Sequence, residues 1–361
     1  MGKGRAFIDG AYLHASFTLC SPFTRLPVVN SGEDPQVSST LIERVLPEKR
    51  ALTTKPRPSD VAFRTTLNVM SYSSLLILAA IGGFLAFRGF DAFKHNGIGF
   101  ITNVDWNSGT GDSNGPYGMA AMLVGTLMIS AVALVIGVPI SVLTALFLTY
   151  YAPEGLKKTL VTVVDLMASF PSILYGLWGF IVLAPMATYW AKLIYKYLHW
   201  IPVFNVPTQA FERSPFLAGL VLSVMIIPIV TSISREIFAQ TPLERIQAAY
   251  ALGATKWGMI KAVVLPFGAS GIVGGAMLGL GRALGETVAV YSVLNIVFKI
   301  NLQVLYGFGG NVASMIVSKF GEASFNEKKA LLAAGFVLFT LTLLVNMVAN
   351  SVVQRAVKSG K

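Results

Sequence analysis

The chain has 361 residues, of which 54% are apolar and only 12% are charged, and its mean hydropathy is +0.65. Soluble globular domains carry about 25% charged residues, so this composition excludes an ordinary soluble enzyme and indicates a membrane protein. The formal net charge of +11 would suit a nucleic-acid-binding protein, but in a membrane protein it follows from Lys and Arg retained in cytoplasmic loops.

Residues 1–66 form a polar segment that contains several prolines. Nine Lys and Arg face six Asp and Glu in this segment, and aromatic residues are few. Without a sustained hydrophobic period, such a segment cannot bury enough apolar surface to offset the entropy of ordering. We therefore predict a mostly disordered cytoplasmic tail over 1–66.

Six apolar runs are long enough to cross a hydrocarbon core of about 30 Å, which takes about 20 residues. They predict an all-α transmembrane domain over 67–353, followed by a short basic cytoplasmic tail at 354–361. The predicted spans are 67–87, 119–143, 160–184, 216–233, 269–294 and 330–352. Pro171 lies inside the third of them, where prolines commonly kink transmembrane helices. The Tyr- and Trp-rich run at 189–200 predicts a separate segment at the membrane interface.

The orientation follows from the distribution of positive charge. Eighteen Lys and Arg fall on the side that holds both termini and the 235–268 loop, against eight on the opposite side. Because Lys and Arg accumulate in cytoplasmic loops, both termini and this loop are predicted to be cytoplasmic.

The sequence lacks the patterns of several enzyme classes. No G-x-x-x-x-G-K-[ST] motif occurs, so the chain is predicted not to hydrolyse nucleotide. His14, His95 and His199 have no metal-like spacing with Cys, His or carboxylates. We predict a non-catalytic membrane subunit with no metal or cofactor of its own.

The 235–268 loop contains a long fixed pattern of small residues, a glycine and a Leu-Pro pair. In order, its members are Gln247, Ala248, Ala249, Gly253, Val263, Leu265 and Pro266. A glycine permits the sharp reversal after a short helix, and Pro266 is expected to end the second helix. The spacing resembles the EAA motif of ABC importer permeases, in which E-A-A is followed after three residues by Gly, after nine by Ile and after one by Leu-Pro. Here Gln replaces Glu and Val replaces Ile.

That resemblance implies that residues 244–266 form the coupling loop that seats on a separate ATPase subunit. The alternative is an ordinary amphipathic cytoplasmic loop without a docking role.

The fifth predicted span contains one arginine and one glutamate in the run L-G-L-G-R-A-L-G-E-T. Gly275, Gly279, Arg282, Glu286 and Ala289 recur at helical spacing, which predicts one face with room for a helix or a small solute. Arg282 and Glu286 are one turn apart and are expected to pair. A guanidinium suits phosphate oxygens, so both residues are candidates for a substrate pathway. The alternative is a structural ion pair that joins two helices.

Three segments together resemble the phosphate-specific importer permeases of the PstC type. These are the R-A-L-G-E-T run after the coupling loop, the Asp105-Trp106-Asn107 run with Gly109, and the segment 170–179. The resemblance covers about 61–357 and leaves the first 60 residues outside. It implies a six-helix type I ABC importer permease (MetI-like) fold in the bacterial cytoplasmic membrane.

By the same resemblance, the chain is expected to be the permease of an ATP-driven inorganic phosphate importer. The implied partners are a second similar permease, two ATPase subunits that bind ATP and Mg, and an extracytoplasmic phosphate-binding protein, with no nucleic acid. A type I permease for sulfate or molybdate stays open as an alternative, and so does a channel or secondary transporter. Asp165 is expected to reach toward water near the start of the third span.

Overall fold

The computed structural model describes residues 58–107, 115–207, 210–307 and 309–359. The chain divides into two units, Met1–Leu67 and Asn68–Lys361. Residues 1–57 of the predicted tail, and 360–361, lie outside the described residues. Residues 58–66 are helical and not part of a structureless tail, and helix continues through 354–359 of the predicted basic tail.

The described residues form eleven helical segments, six of which are long and apolar enough to span a membrane. In chain order, they are α1 (Pro58–Asn96), α2 (Gly99–Thr102), α3 (Ala120–Tyr151), α4 (Glu154–Ser169), α5 (Ser172–Leu198), α6 (Pro215–Ala239), α7 (Leu243–Ala251), α8 (Lys256–Gly285), α9 (Val288–Val293), α10 (Val312–Phe320) and α11 (Phe325–Ser359). The spans are α1, α3, α5, α6, α8 and α11, so the prediction of six spans in an all-α protein is confirmed. We call the side that holds the 235–268 loop the inner side, and the opposite side the outer side.

Helix α6 forms the centre of the described fold. In its most apolar window, 61% of the residues are buried, against 6% for α1. Glycines bring its neighbours close: a Cβ on Gly137 of α3 would lie 2.9 Å from Ile226, and a Cβ on Gly268 of α8 would lie 2.5 Å from Phe238. Small residues permit such close helix approach within a membrane. They fix α3 and α8 against α6.

The predicted third span, 160–184, is wrong. Helix α4 ends at Ser169, and Phe170 and Pro171 have extended backbone with ψ of 138° and 137° before α5 begins. The residue before a proline is pushed out of helical conformation by the proline ring, so Pro171 separates two helices instead of kinking one. The aromatic run at 189–200, predicted as a separate interfacial segment, forms the outer part of the spanning helix α5 up to Leu198.

The predicted role of Pro266 as a helix stop is also wrong. Helix α8 continues through Pro266, and a π-helical turn over Ile260–Val264 directly precedes it. A proline removes one backbone donor and crowds the preceding turn; a π turn changes the hydrogen-bond register at that point. The fifth span therefore runs from Lys256 to Gly285 instead of 269–294.

Candidate functional site

Arg282 lies in the last turn of α8, in the middle part of the membrane. Gly279, one turn earlier, faces Val230 and Ile226 of α6. Ile226 is about 17 Å along α6 from its outer end at Pro215, at about 1.5 Å per residue. In a hydrocarbon core of about 30 Å, that places Arg282 between the middle of the core and its outer edge.

Arg282 is exposed on the surface of the chain. Within the described ranges, no carboxylate lies within ion-pair distance of it and no side chain accepts its hydrogen bonds. At the centre of a spanning helix, an arginine costs about 2.5–3.5 kcal/mol on insertion scales. Arginines within spans almost always face the interior of a helix bundle or a water-filled cavity.

The expected ion pair between Arg282 and Glu286 is wrong. Helix α8 ends at Gly285, and Glu286 has extended backbone with ψ of 127°. Its side chain is only 8% exposed, and its Oε1 accepts a hydrogen bond from the N–H of Ala289 at 3.3 Å. An i, i+4 pair requires an unbroken helix. Arg282, Glu286 and Ala289 therefore do not share one helical face.

Asn311 fixes the break at Glu286 from a distant part of the chain. Its Nδ2 donates to the backbone carbonyl of Glu286 at 2.5 Å, and its Oδ1 accepts from the N–H of Ser314 at 2.8 Å. On the other side, a Cβ on Gly176 of α5 would lie 2.8 Å from the Cα of Ala289. The Asn-x-x-Ser spacing is a capping signal readable in sequence, but its contact with Glu286 is not.

Tyr175 joins the break between α4 and α5 to the surroundings of Arg282. Its hydroxyl donates to the backbone carbonyl of Met167 at 2.6 Å, across the interruption at Pro171. The same hydroxyl lies within electrostatic range of the Arg282 guanidinium. In the sequence, Tyr175 is one residue of the segment 170–179, with no role predicted for it.

Asp165 lies on the exposed surface of α4. The Ser232 hydroxyl of α6 donates to its Oδ1 at 3.5 Å. Ser232 itself lies about 26 Å along α6 from Pro215, at about 1.5 Å per residue. This depth is closer to the inner side than that of Arg282. Across the part of the chain that is described, no group of three His, Cys, Asp or Glu residues is suited to a metal ion.

At the inner end of α8, the loop that follows α7 reverses direction at Gly253. This residue has φ of +80°, and its N–H donates to the carbonyl of Tyr250 at 2.9 Å. A Cβ added there would meet nothing within 4 Å. Glycine is needed because side chains disfavour this left-handed conformation, and not because space is lacking.

The predicted coupling residues divide between two faces of the loop. Ala249 is buried beside Met259 and Ile260, and Val263 and Leu265 pack against the same cluster. Other members are exposed, namely Gln247, Ala248, Gly253 and Pro266. Three exposed apolar neighbours were not predicted from the sequence, namely Leu243, Tyr250 and Leu252, of which Leu252 is 89% exposed. Exposed apolar side chains of this kind can contribute to a docking surface.

On the outer side, Trp106 of the Asp-Trp-Asn run is buried and anchored. Its Nε1–H donates to Oε1 of buried Glu327 at 2.8 Å, and its ring stacks on Phe298 with centroids 5.9 Å apart. Burial raises the pKa of the neighbouring Tyr117 hydroxyl, and the negative charge of Glu327 raises this pKa further by a smaller amount. Trp106 thus ties the segment before α3 to α11, whereas Gly109 of the same run lies outside the described residues.

Residues 137–358 match the family model described as "Binding-protein-dependent transport system inner membrane component". The chain is 42% identical over 311 residues to phosphate transport system permease protein PstC 2 of Mycobacterium tuberculosis, which covers 84% of this chain and 93% of that protein. It is 37% identical to the PstC permease of Pasteurella multocida, over 83% of this chain and 93% of that protein.

Solved structures give the same fold. A chain of a bacterial alginate ABC transporter, in complex with its alginate pentasaccharide-bound periplasmic protein, aligns with a TM-score of 0.55 at 17% identity. The alignment covers 84% of this chain and 99% of that chain. At this identity the likeness shows the fold alone, that of a type I ABC importer permease. The chain thus belongs to the inner membrane components of binding-protein-dependent transport systems and, among them, to the PstC-type phosphate transport permeases.

Proposed function

We propose that this multi-pass protein of the bacterial cytoplasmic membrane is the permease subunit of an ATP-driven importer of inorganic phosphate. The observation that carries this function is its 42% identity, over 84% of its length, to a permease named for phosphate transport. Sulfate or molybdate import and ATP-independent transport have no comparable support.

Arg282 is the residue that meets the anion in this proposal. It is exposed at mid-membrane depth and has no ion-pair partner within the described residues. A guanidinium presents a planar fork of donors that matches phosphate oxygens, and its charge persists at every physiological pH. A passing phosphate supplies the counter-charge that none of the described residues provides.

Glu286 has a positioning role next to this pathway. Its carboxylate accepts the Ala289 N–H and its carbonyl accepts the Asn311 amide. It therefore cannot hold Arg282 in reserve for the anion, as an ion pair would have done. Instead, it fixes where α8 ends and α9 begins, and with that the height at which Arg282 projects.

The proposed partners are a second similar permease, two ATPase subunits that bind ATP and Mg, and an extracytoplasmic phosphate-binding protein. The catalytic step of ATP hydrolysis belongs to the ATPase subunits, and this chain is not itself an enzyme. The exposed part of the 244–266 loop, with Leu252 89% exposed, is the surface we assign to an ATPase subunit.

Helix α8 links the two functional regions directly. It begins at Lys256 beside the coupling loop and ends at Gly285, just beyond Arg282. A 30-residue helix is about 45 Å long at about 1.5 Å per residue. When the ATPases close and move the loop, α8 transmits that movement to Arg282, and the substrate pathway at Arg282 opens alternately to the outer and the inner side.

The test is transport by the complete complex in proteoliposomes. We expect uptake of labelled phosphate that requires ATP and the binding protein, and that is unaffected by equal concentrations of sulfate or molybdate. Competition by sulfate as strong as that by unlabelled phosphate would assign another oxyanion. Uptake without ATP would assign a secondary transporter or channel.

The orientation is tested separately. Cys20 is the only cysteine, so a Cys20→Ser background permits single cysteines at Lys256 or Lys261. In intact cells these should resist an impermeant thiol reagent, whereas a cysteine at Lys196, at the outer end of α5, should react. Strong labelling at Lys256 would invert the proposed topology.

A further inference from the structure

The outer ends of α1 and α11 form two adjoining cavities that no transport role explains. The polar one has a volume of about 380 Å³ and is lined by Asp91, Lys94, His95 and Lys329, among others. The second has a volume of about 510 Å³ and shares Asp91 and Lys329 with the first. Because they share these two residues, the cavities border one another.

The second cavity is largely apolar. Phe87, Phe90 and Phe325 line it and are exposed by 80%, 63% and 66%. Arg88 is the only other cation besides Lys329 among its lining residues. Three exposed phenylalanines beside two cations form a surface that is apolar and basic at once.

The two cavities are ordered along the membrane normal. The polar cavity is lined by residues 91–96 of α1 and the apolar cavity by residues 86–91. Since α1 ends on the outer side at Asn96, the apolar cavity lies deeper by about five residues, or about 8 Å at about 1.5 Å per residue. A phospholipid has the same order, with a phosphate headgroup outside and acyl chains inside.

The charge of the cavities favours an anion. Among the lining residues, one carboxylate, that of Asp91, faces three cations, namely Arg88, Lys94 and Lys329. The Oδ2 of Asp91 accepts a hydrogen bond from Lys329 Nζ at 2.6 Å. His95 adds a hydrogen-bond donor at the outer rim. Basic residues near a membrane surface attract anionic headgroups, at about 1 kcal/mol or about five-fold in affinity per Lys or Arg.

We propose that these cavities bind an anionic phospholipid of the outer leaflet. Its phosphate lies beside Lys329, which both cavities share, between Lys94 of the polar cavity and Arg88 of the apolar one, and its acyl chains lie on the phenylalanines. A free phosphate ion offers the same oxygens but has no apolar part that could fill the apolar cavity. The site is separate from Arg282 and does not depend on the proposed transport function.

The test measures which lipids stay bound to the purified transport complex in native mass spectrometry. The probes are phosphatidylglycerol and phosphatidylcholine with identical acyl chains, added in equal amounts. We expect a preference for phosphatidylglycerol of at least about five-fold. The variant R88Q/K329Q should lose this preference, and Asp91→Asn should increase it by removing a repulsive charge.

The matched control is K192Q/K196Q, which removes two exposed cations from the outer part of α5 and should keep the preference. Arg88→Gln alone preserves the Lys329–Asp91 pair, so it tests the site should the double variant not assemble. Phe87→Ala should weaken retention of both lipids equally.

An unchanged preference in R88Q/K329Q or R88Q would overturn the proposal. Displacement by excess inorganic phosphate would reassign the site to the free ion, and absence of any preference in the complex would assign this face to a protein partner.

Discussion

The two ends of α8 form in different ways. At the inner end, Gly253 turns the chain with φ of +80°, and the Thr255 side chain caps the new helix by accepting the Gly258 N–H at 3.2 Å. At the outer end, the helix stops between Gly285 and Glu286, where contacts from Asn311 and Gly176 hold the break.

The two ends of α8 therefore depend on two different kinds of residue contribution. The inner end depends on the backbone preference of single residues within a few positions of the turn, whereas the outer end depends on residues distant in sequence. A substitution at the inner end should therefore change the backbone conformation of the turn and leave the fold of the membrane-embedded part intact. A substitution at the outer end should act through packing and alter the amount of folded protein.

The largest effect is expected from Gly253→Val. A left-handed conformation costs a residue with a side chain about 1–2 kcal/mol, and a β-branched residue is a rare outlier there. We expect loss of phosphate uptake with normal membrane insertion, because the loop no longer presents its docking face. Gly253→Asn, which tolerates this conformation, should retain most uptake. Equal uptake by the Val variant and wild type would remove the loop from the coupling path.

Leu252→Ser should weaken the ATPase contact without affecting the fold of this chain. The side chain is 89% exposed, and burying a leucine in an interface contributes about 1.5–3 kcal/mol. Co-purification of the ATPase should fall by about ten-fold or more, at unchanged amounts of permease. Unchanged co-purification would show that Leu252 lies outside the docking surface.

At the outer end, Asn311→Ala should reduce the amount of folded protein. It leaves the Glu286 carbonyl and the Ser314 N–H without their partners, and a buried unsatisfied group costs about 1–3 kcal/mol. Ser314→Ala removes only the reciprocal half of the capping box and should cost less. The measurement is thermal stability in detergent, and equal midpoints for Asn311→Ala and wild type would contradict the long-range origin of this break.

The smallest effect is expected from Glu286→Gln. The amide oxygen can still accept the Ala289 N–H, so both protein amount and uptake should stay near wild type. Glu286→Ala removes the acceptor and should cost about 0.5–2 kcal/mol, as for other lost caps. A loss of about 3–5 kcal/mol of stability in Glu286→Gln, the cost of breaking a buried ion pair, would instead support an ion pair between Glu286 and Arg282.

The sequence predicted what local signals determine. The number of spans and the turn at Gly253 correspond to observed features, because hydropathy and glycine act within a short stretch of chain. The bounds predicted for the third and fifth spans do not, and the coupling role of the spacing from Gln247 to Pro266 stays a prediction. The continuous helix through Pro266 and the break at Glu286 were missed. Neither follows from residue type: a π turn absorbs the proline, and Asn311 lies 25 positions from the carbonyl that it holds.

The central claim, that Arg282 meets the anion, is tested most directly by Arg282→Gln, with labelled phosphate uptake normalised to membrane-inserted protein. Because Arg282 has no ion-pair partner within the described residues, this variant should insert at wild-type amounts. Its uptake should fall by at least about ten-fold, the equivalent of one charged hydrogen bond of about 1.5–3 kcal/mol, and Arg282→Lys should retain part of it. Wild-type uptake by Arg282→Gln, or a loss explained wholly by reduced protein amount, would contradict the claim.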